Sequence, residues 1–306
     1  MADERPIPVI LDTDIGGDID DTWALAMMLR SPELDVRLIV TDTGDTTYRA
    51  RIVAKLLEIA GRTDIPIGLG LPQASDGPRE RQAAWVAGYD LRRYSGPVLA
   101  DGVGALIETI RCSPRPVTLV CIGPVPNIGA ALRREPRIAE NCRFVGMLGC
   151  FRRSHGGAPR VIAEYNVVQD VPASQAVFAA PWPMTITPLD TCGLVRLSGD
   201  RYRAVCDCPD PLVRAVVENY RVWLASRGNY SYASETESSF LYDTVAVHLA
   251  FNTQFLAMEQ LGARVDERGF TLEAGGGRPV LAALDWTDLE GYENFLVDRL
   301  TNRGKS

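Results

Sequence analysis

Two residue types are nearly missing from this 306-residue chain: His155 and His248 are its only histidines, and Lys55 and Lys305 its only lysines. Two histidines make a zinc site or a histidine-based nucleophilic triad hard to assemble. His248, within VAVHLAF, is expected to be a structural residue on a packed helix. Paired cysteines are also missing. Cys112, Cys121, Cys142, Cys150, Cys192, Cys206 and Cys208 are an odd number, scattered apart from Cys206-Asp-Cys208, which points to reduced core thiols and a cytoplasmic protein. No stretch approaches the ~20 apolar residues of a membrane span, and the charged start MADERPIP predicts no secretory leader. A formal net charge of -7 argues against a nucleic-acid surface and leaves no polybasic patch for a membrane. Any catalysis must lean on carboxylates.

What is present is ordinary globular composition, 46% hydrophobic and 23% charged, with no Pro/Ser-rich or charged linker, so one domain over residues 1–306 is expected. Apolar runs and amphipathic stretches alternate. Strands are predicted at Val9–Asp12, Asp35–Thr41, Ile65–Gly70, Pro116–Cys121, Arg143–Leu148 and Pro183–Pro188. Helices are predicted from about Trp23 and over Thr47–Ala60, Val103–Arg111, Ile128–Arg134, Ala173–Ala179, Asp210–Arg227, Phe240–Phe251 and Leu289–Leu300. This alternation calls for an α/β fold with three layers, a mostly parallel sheet covered by helices on both faces. Phe255–Leu281 reads as short strands. Pro72–Pro97 reads as a long polar loop carrying Trp85, Tyr89 and Tyr94, either an anchored connection or a lid that stacks on a planar ligand.

The most informative stretch is VILDTDIGGDIDDTWALAMMLR, residues 9–30. Five aspartates (Asp12, Asp14, Asp18, Asp20 and Asp21) crowd one strand-to-helix turn around Gly16-Gly17. Two unit charges ~4 Å apart interact by roughly 4 kcal/mol at an effective dielectric near 20. Such a turn therefore calls for a cation, and hard oxygen donors suit Ca²⁺ or Mg²⁺. Helix capping needs one or two aspartates, not five. An EF-hand loop starting at Asp12 is excluded by Gly16 and Trp23, which stand where Asp/Asn and Glu belong. A DxD-type phosphatase, with Asp12 as nucleophile and Asp14 as acid, would need Mg²⁺ and a phosphate-binding lysine. Lys55 falls in a helix pattern and Lys305 at the terminus.

The Asp-rich turn, GPVPNIGAAL (123–132), AEYN (163–166) and LYDTVAV (241–247) occur in the order and rough spacing of the inosine–uridine nucleoside hydrolases, which the chain resembles over roughly residues 7–250. The resemblance implies a Rossmann-like nucleoside hydrolase fold, Ca²⁺ as cofactor, a nucleoside-like substrate and a homodimer or homotetramer. Position by position, it implies that Asp14, Asp21, Asp243 and the backbone carbonyl of Pro126 hold the metal. Asp14 is also implied as general base, while Asp20, Glu164, Asn166 and, more weakly, Asp45 hold the sugar. Proline keeps its carbonyl, so Pro126 in place of the usual Thr is compatible with this. Tyr242 replaces a His that many members place before the last Asp ligand, and Ala158 replaces a sugar-contacting Asn, which puts recognition of the ribose 5′ end in doubt. Loss of the histidines is similar to purine-preferring members, which stack the base between aromatics, so Trp85, Trp223, Tyr230, Tyr232 and Tyr242 are expected around the base. Trp223 reads equally as a core helix residue. Asp12 and Asp18 are expected to shape the turn. A rival from another class is a non-catalytic sugar or nucleoside receptor using the same cleft.

Overall fold

A computed structural model describes residues 5–74, 80–226 and 234–302. The first half alternates β1 (Ile7–Thr13), α1 (Asp20–Leu29), β2 (Leu34–Thr41), α2 (Thr46–Ile59), β3 (Ile67–Leu69), β4 (Val98–Leu99), α3 (Gly102–Cys112), β5 (Val117–Cys121) and α4 (Pro126–Arg134). Then come β6 (Cys142–Met147), α5 (Tyr165–Val168), α6 (Val171–Ala179), β7 (Met184–Thr187), α7 (Leu189–Cys192), α8 (Gly199–Cys206), α9 (Pro211–Ser226) and α10 (Tyr242–Leu249). The chain closes with β8 (Leu256–Val265), β9 (Thr271–Glu273), β10 (Arg278–Trp286) and α11 (Leu289–Thr301).

The strands form one sheet in the order β4-β3-β2-β1-β5-β6-β7-β10-β8-β9. From β4 to β10 neighbouring strands run parallel, and β8 and β9 add antiparallel pairs at one edge. Central strands buried on both faces read as unbroken apolar runs, as IPVILDT and VTLVC do. Along β1, Val9 and Leu11 enter one core with Trp23, Leu56, Tyr220, Val245 and Leu296. Ile10 enters the other, with Leu106, Leu119, Ile128 and Val177. Helices thus cover both faces, and the fold is the three-layer α/β arrangement expected.

One open reading is decided and one expectation needs correction. The described part of 72–97 takes the anchored reading rather than the lid. It is pinned by Tyr94 Oη donating to the Ile65 carbonyl at 3.0 Å and by buried Trp85 and Val86, and it ends in β4 on the sheet edge. The C-terminal strands β8 and β10 are 10 and 9 residues long, because they pair antiparallel with each other over eight registers between β7 and the edge strand β9, rather than forming a cluster of short pieces.

The topology positions the site. The chain leaves β1 toward β2, β3 and β4, then crosses back to β5 on the other side of β1. Ligands bind in the crevice outside the carboxyl ends of the strands at such a reversal. The Asp-rich turn follows β1, and GPVPN follows β5, so both open into that crevice.

Candidate active site

The turn after β1 is built around side chains that hold its backbone. Gly16 takes φ +111, and a Cβ there would stand 2.7 Å from the Tyr48 ring, so glycine is needed both for the conformation and for the approach. Tyr48 Oη donates to the Gly16 carbonyl at 3.1 Å, and Gln82 Nε2 donates to the Asp18 carbonyl at 2.7 Å. Gln82 is fully buried and also accepts from Asn219 Nδ2 at 2.6 Å, tying the turn to α9.

The turn delivers Asp20 and Asp21 into the first turn of α1, and LYDTVAV delivers Asp243 into the first turn of α10. All three are buried, and each offers a carboxylate oxygen within 4.8 Å of the others. Thr13 Oγ1 donates to Asp21 Oδ1 at 2.5 Å. Two helix N-termini therefore face one acidic cluster, which their dipoles favour. Burial, and then repulsion from Asp18 for Asp20, Asp14 for Asp21 and Asp20 for Asp243, pushes these carboxyls well above their usual range. Asp14 is raised by burial too, against the opposing pull of Arg49. Buried, mutually repelling oxygen donors are what a hard divalent cation requires, so these residues fit such an ion.

A cavity of about 500 Å³, the size of a small-molecule site, opens over this cluster. Asp14, Asp20, Asp21 and Asp243 line one side, and Glu164 and Asn166 another. Glu164 caps α5: its Oε1 accepts from Asn166 N at 2.8 Å, and its Oε2 from Gly149 N at 3.1 Å and Val167 N at 3.2 Å. Burial outweighs these bonds and pushes its carboxyl up to about 7. Asn166 Nδ2 donates to the carbonyls of Met147 at 3.0 Å and Ile122 at 3.1 Å, locking the side chain to the ends of β5 and β6.

Trp223 is 1% exposed and packs on Tyr220, yet it also lines the cavity, so both readings of it meet in one residue. Tyr242 lines the cavity as well. Three expected site residues, and Asp12 of the phosphatase reading, do not line it. Asp45 is exposed and caps α2, accepting from Tyr48 N at 2.9 Å. Trp85 is buried against α2, with Lys55 Nζ 3.9 Å above its ring and donating to its carbonyl at 2.6 Å. Pro126 occupies the first position of α4 with its side chain buried, and the nearby Ile122 lines the cavity. Asp12 is fully buried, held by Asn127 Nδ2 at 2.9 Å with Asp42 alongside, and burial pushes its carboxyl to about 7. It cannot meet a phosphate in the cavity, and Lys55 is engaged elsewhere, so the phosphatase reading fails. Tyr230 and Tyr232 lie outside the described residues.

The sequence reading missed three contributors. His155, in the Gly-rich loop after β6, lines the cavity with Nδ1 2.9 Å from Tyr242 Oη. Its rarity and its place in the Gly-containing segment SHGG, 154–157, were the available signals. Phe240 packs on Tyr242 at 5.6 Å between ring centres and lines the same wall. Arg49 Nη2 lies 4.0 Å from Asp14 Oδ2. His248, by contrast, is structural as expected: buried among Phe251, Phe255, Tyr292 and Phe295, with Nε2 2.9 Å from the Gln254 carbonyl.

Fold and cavity together define an α/β protein with an acidic, cation-suited pocket at the sheet's reversal point. Residues 9–295 match the family model described as inosine-uridine preferring nucleoside hydrolase, and the chain belongs to that family. It is 25% identical over 322 residues to the pyrimidine-specific ribonucleoside hydrolase RihA of Salmonella arizonae, covering 96% of this chain and 98% of that one. Among solved structures, a plant nucleoside hydrolase aligns with a TM-score of 0.79 at 24% identity, covering 97% of this chain and 99% of that one. The purine-preferring ribonucleoside hydrolase from Gardnerella vaginalis aligns with a TM-score of 0.79 at 21% identity and the same coverage. The chain is thus a nucleoside hydrolase by family, with the nucleoside hydrolase fold. Among the described residues no helix is long and apolar enough to cross a membrane.

Proposed function

We propose that this protein is a calcium-dependent N-ribohydrolase that cleaves purine nucleosides, or close analogues, to free base and sugar. The observation that carries the reading is the single cavity in which Asp14 and the Asp20–Asp21–Asp243 cluster face Glu164 and Asn166. Asp14, Asp21, Asp243 and the Pro126 carbonyl are the proposed metal ligands. When bound, calcium would lower the pKa of a water and orient it beside the sugar.

Asp14 then takes a proton from the attacking water. Asp20, Glu164 and Asn166 hold the ribose hydroxyls, and the surrounding carboxylates stabilise the oxocarbenium-like centre as the C1′–N bond breaks and the C1′–O bond forms. The departing base needs a proton. His155 stands on the wall and is held by Tyr242, so we assign it that donation. Trp223, Phe240 and Tyr242 give the base aromatic surface, and a bicyclic purine gains more from such stacking than a single ring. Ala158 on the same wall supports tolerance at the sugar's 5′ end. The reduced cysteines support a cytoplasmic setting, and the family resemblance supports a homodimer or homotetramer.

A panel of purine and pyrimidine nucleosides, assayed for free base and reducing sugar with added calcium, tests the reading. Purine nucleosides are expected to turn over at least tenfold faster than uridine. Faster uridine would reject the purine assignment. Tight binding by calorimetry without product from any nucleoside would support the receptor alternative instead. His155→Ala is expected to slow nucleoside hydrolysis by about 100-fold, the usual scale for one proton-transfer group. On nitrophenyl riboside, whose leaving group needs no proton, the loss should be at least tenfold smaller. Equal losses on both substrates would remove His155 from this role.

A further inference from the structure

Arg49 is a buried cation that the proposed chemistry does not use directly. Its side chain is 2% exposed on α2. Leaving a guanidinium there is expensive unless its N–H groups find partners. Nε donates to the Thr43 carbonyl at 2.8 Å, Nη1 to the Ile15 carbonyl at 2.9 Å, and Nη2 to Thr43 Oγ1 at 3.3 Å. Thr43 holds φ +51, a left-handed conformation a β-branched residue adopts only under constraint. One guanidinium therefore ties the turn after β1 to the turn after β2. The same Nη2 lies 4.0 Å from Asp14 Oδ2.

The opposite side of Asp14 is closed by Gly123, after β5. A Cβ there would come within 2.8 Å of Asp14 N and 3.0 Å of Asp14 Oδ1. Asp14 thus sits between a cation facing Oδ2 and a glycine backbone facing Oδ1. A carboxylate at the crowded edge of an acidic cluster would otherwise be free to rotate. Fixing it matters because misplacement of a reacting group by about 1 Å lowers rates by about 100-fold.

We propose that Arg49 is the positioning residue for Asp14, fixing which carboxylate oxygen meets the reacting water. This rests on the reading of Asp14 as the base. A purely structural tie predicts something different: loss of stability and of sugar binding together.

The test compares wild type, Arg49→Gln and Arg49→Lys with calcium and the preferred nucleoside. Arg49→Gln is expected to lower kcat by about 100-fold. Its KM should stay within about threefold of wild type at saturating calcium, and Arg49→Lys, which keeps the charge, should recover about tenfold of the loss. The proposal is overturned if KM worsens in step with kcat, or if both variants keep kcat within threefold. Should Arg49→Gln not fold, Arg49→Lys decides by the same split of kcat against KM. Crystal structures of wild type and Arg49→Lys give an independent readout: a rotated Asp14 carboxylate supports the proposal, an unmoved one overturns it. A wild-type protein that hydrolyses no nucleoside refutes the functional reading, and the structural comparison still decides Arg49.

Discussion

Asp14→Asn is expected to lower kcat by about 10³–10⁴-fold, at the upper end of what one proton-transfer group supplies. The substitution keeps size and shape but removes the charge at the residue proposed both to hold calcium and to take the water's proton. It also leaves Arg49, 4.0 Å from Asp14 Oδ2, facing a neutral amide. The thermal midpoint should not fall, because one repelling charge leaves a cluster whose burial already raises its members. Asp45→Ala is the contrasting control. It removes a helix cap from an exposed position, which costs about 1 kcal/mol of stability, and kcat should stay within twofold. Steady-state kinetics with thermal melts on both variants check this. An Asp14→Asn enzyme within tenfold of wild type would remove Asp14 as the base.

Calcium is expected to stabilise the protein strongly at pH 8 and weakly at pH 5.5. Asp12 and Glu164 are pushed up to about 7 by burial, and Asp20, Asp21, Asp42 and Asp243 are raised well above the usual carboxylate range. Between the unfolded carboxylate range near 4 and these raised values, the native state binds more protons than the unfolded state. The slope of stability with pH is then negative: the contribution is fully present below about pH 4 and is lost as pH rises through 7 and beyond. A bound cation replaces those protons, and at 1,000 times its Kd contributes about 4 kcal/mol. Since metal binding requires ionised ligands, that gain grows as pH rises. Chelated protein should therefore melt several degrees lower at pH 8 than at pH 5.5, and excess calcium should close most of the gap. A melting point of chelated protein that rises over this range, or a calcium shift equal at both pH values, would contradict the cluster's assignment.

The fold was legible because its central strands are buried on both faces and so read as unbroken apolar runs, with amphipathic helices between them. β8 and β10 were harder: their burial is partial and their pairing is antiparallel near a sheet edge, so the local pattern resembles short strands. The acidic half of the site was legible because five aspartates in one turn have no cheaper structural use. Asp45 and Trp85 misled for opposite reasons, one a plain helix cap, the other an aromatic drawn into the core beneath Lys55. His155 and Arg49 escaped notice because their importance lies in partners distant in sequence, Tyr242 87 residues away and Ile15 34 residues away. Spacing within one segment carries no trace of such pairs.

The central claim is that one cavity brings cation, sugar and water together to break an N-glycosidic bond. The most direct test is to incubate the protein with inosine in ¹⁸O-labelled water, with calcium or with a chelator, and analyse the products by mass spectrometry. The account predicts free hypoxanthine and ribose bearing one ¹⁸O in the calcium sample, and neither in the chelated one. Base release that persists undiminished without a divalent cation, or no release under either condition, would contradict it.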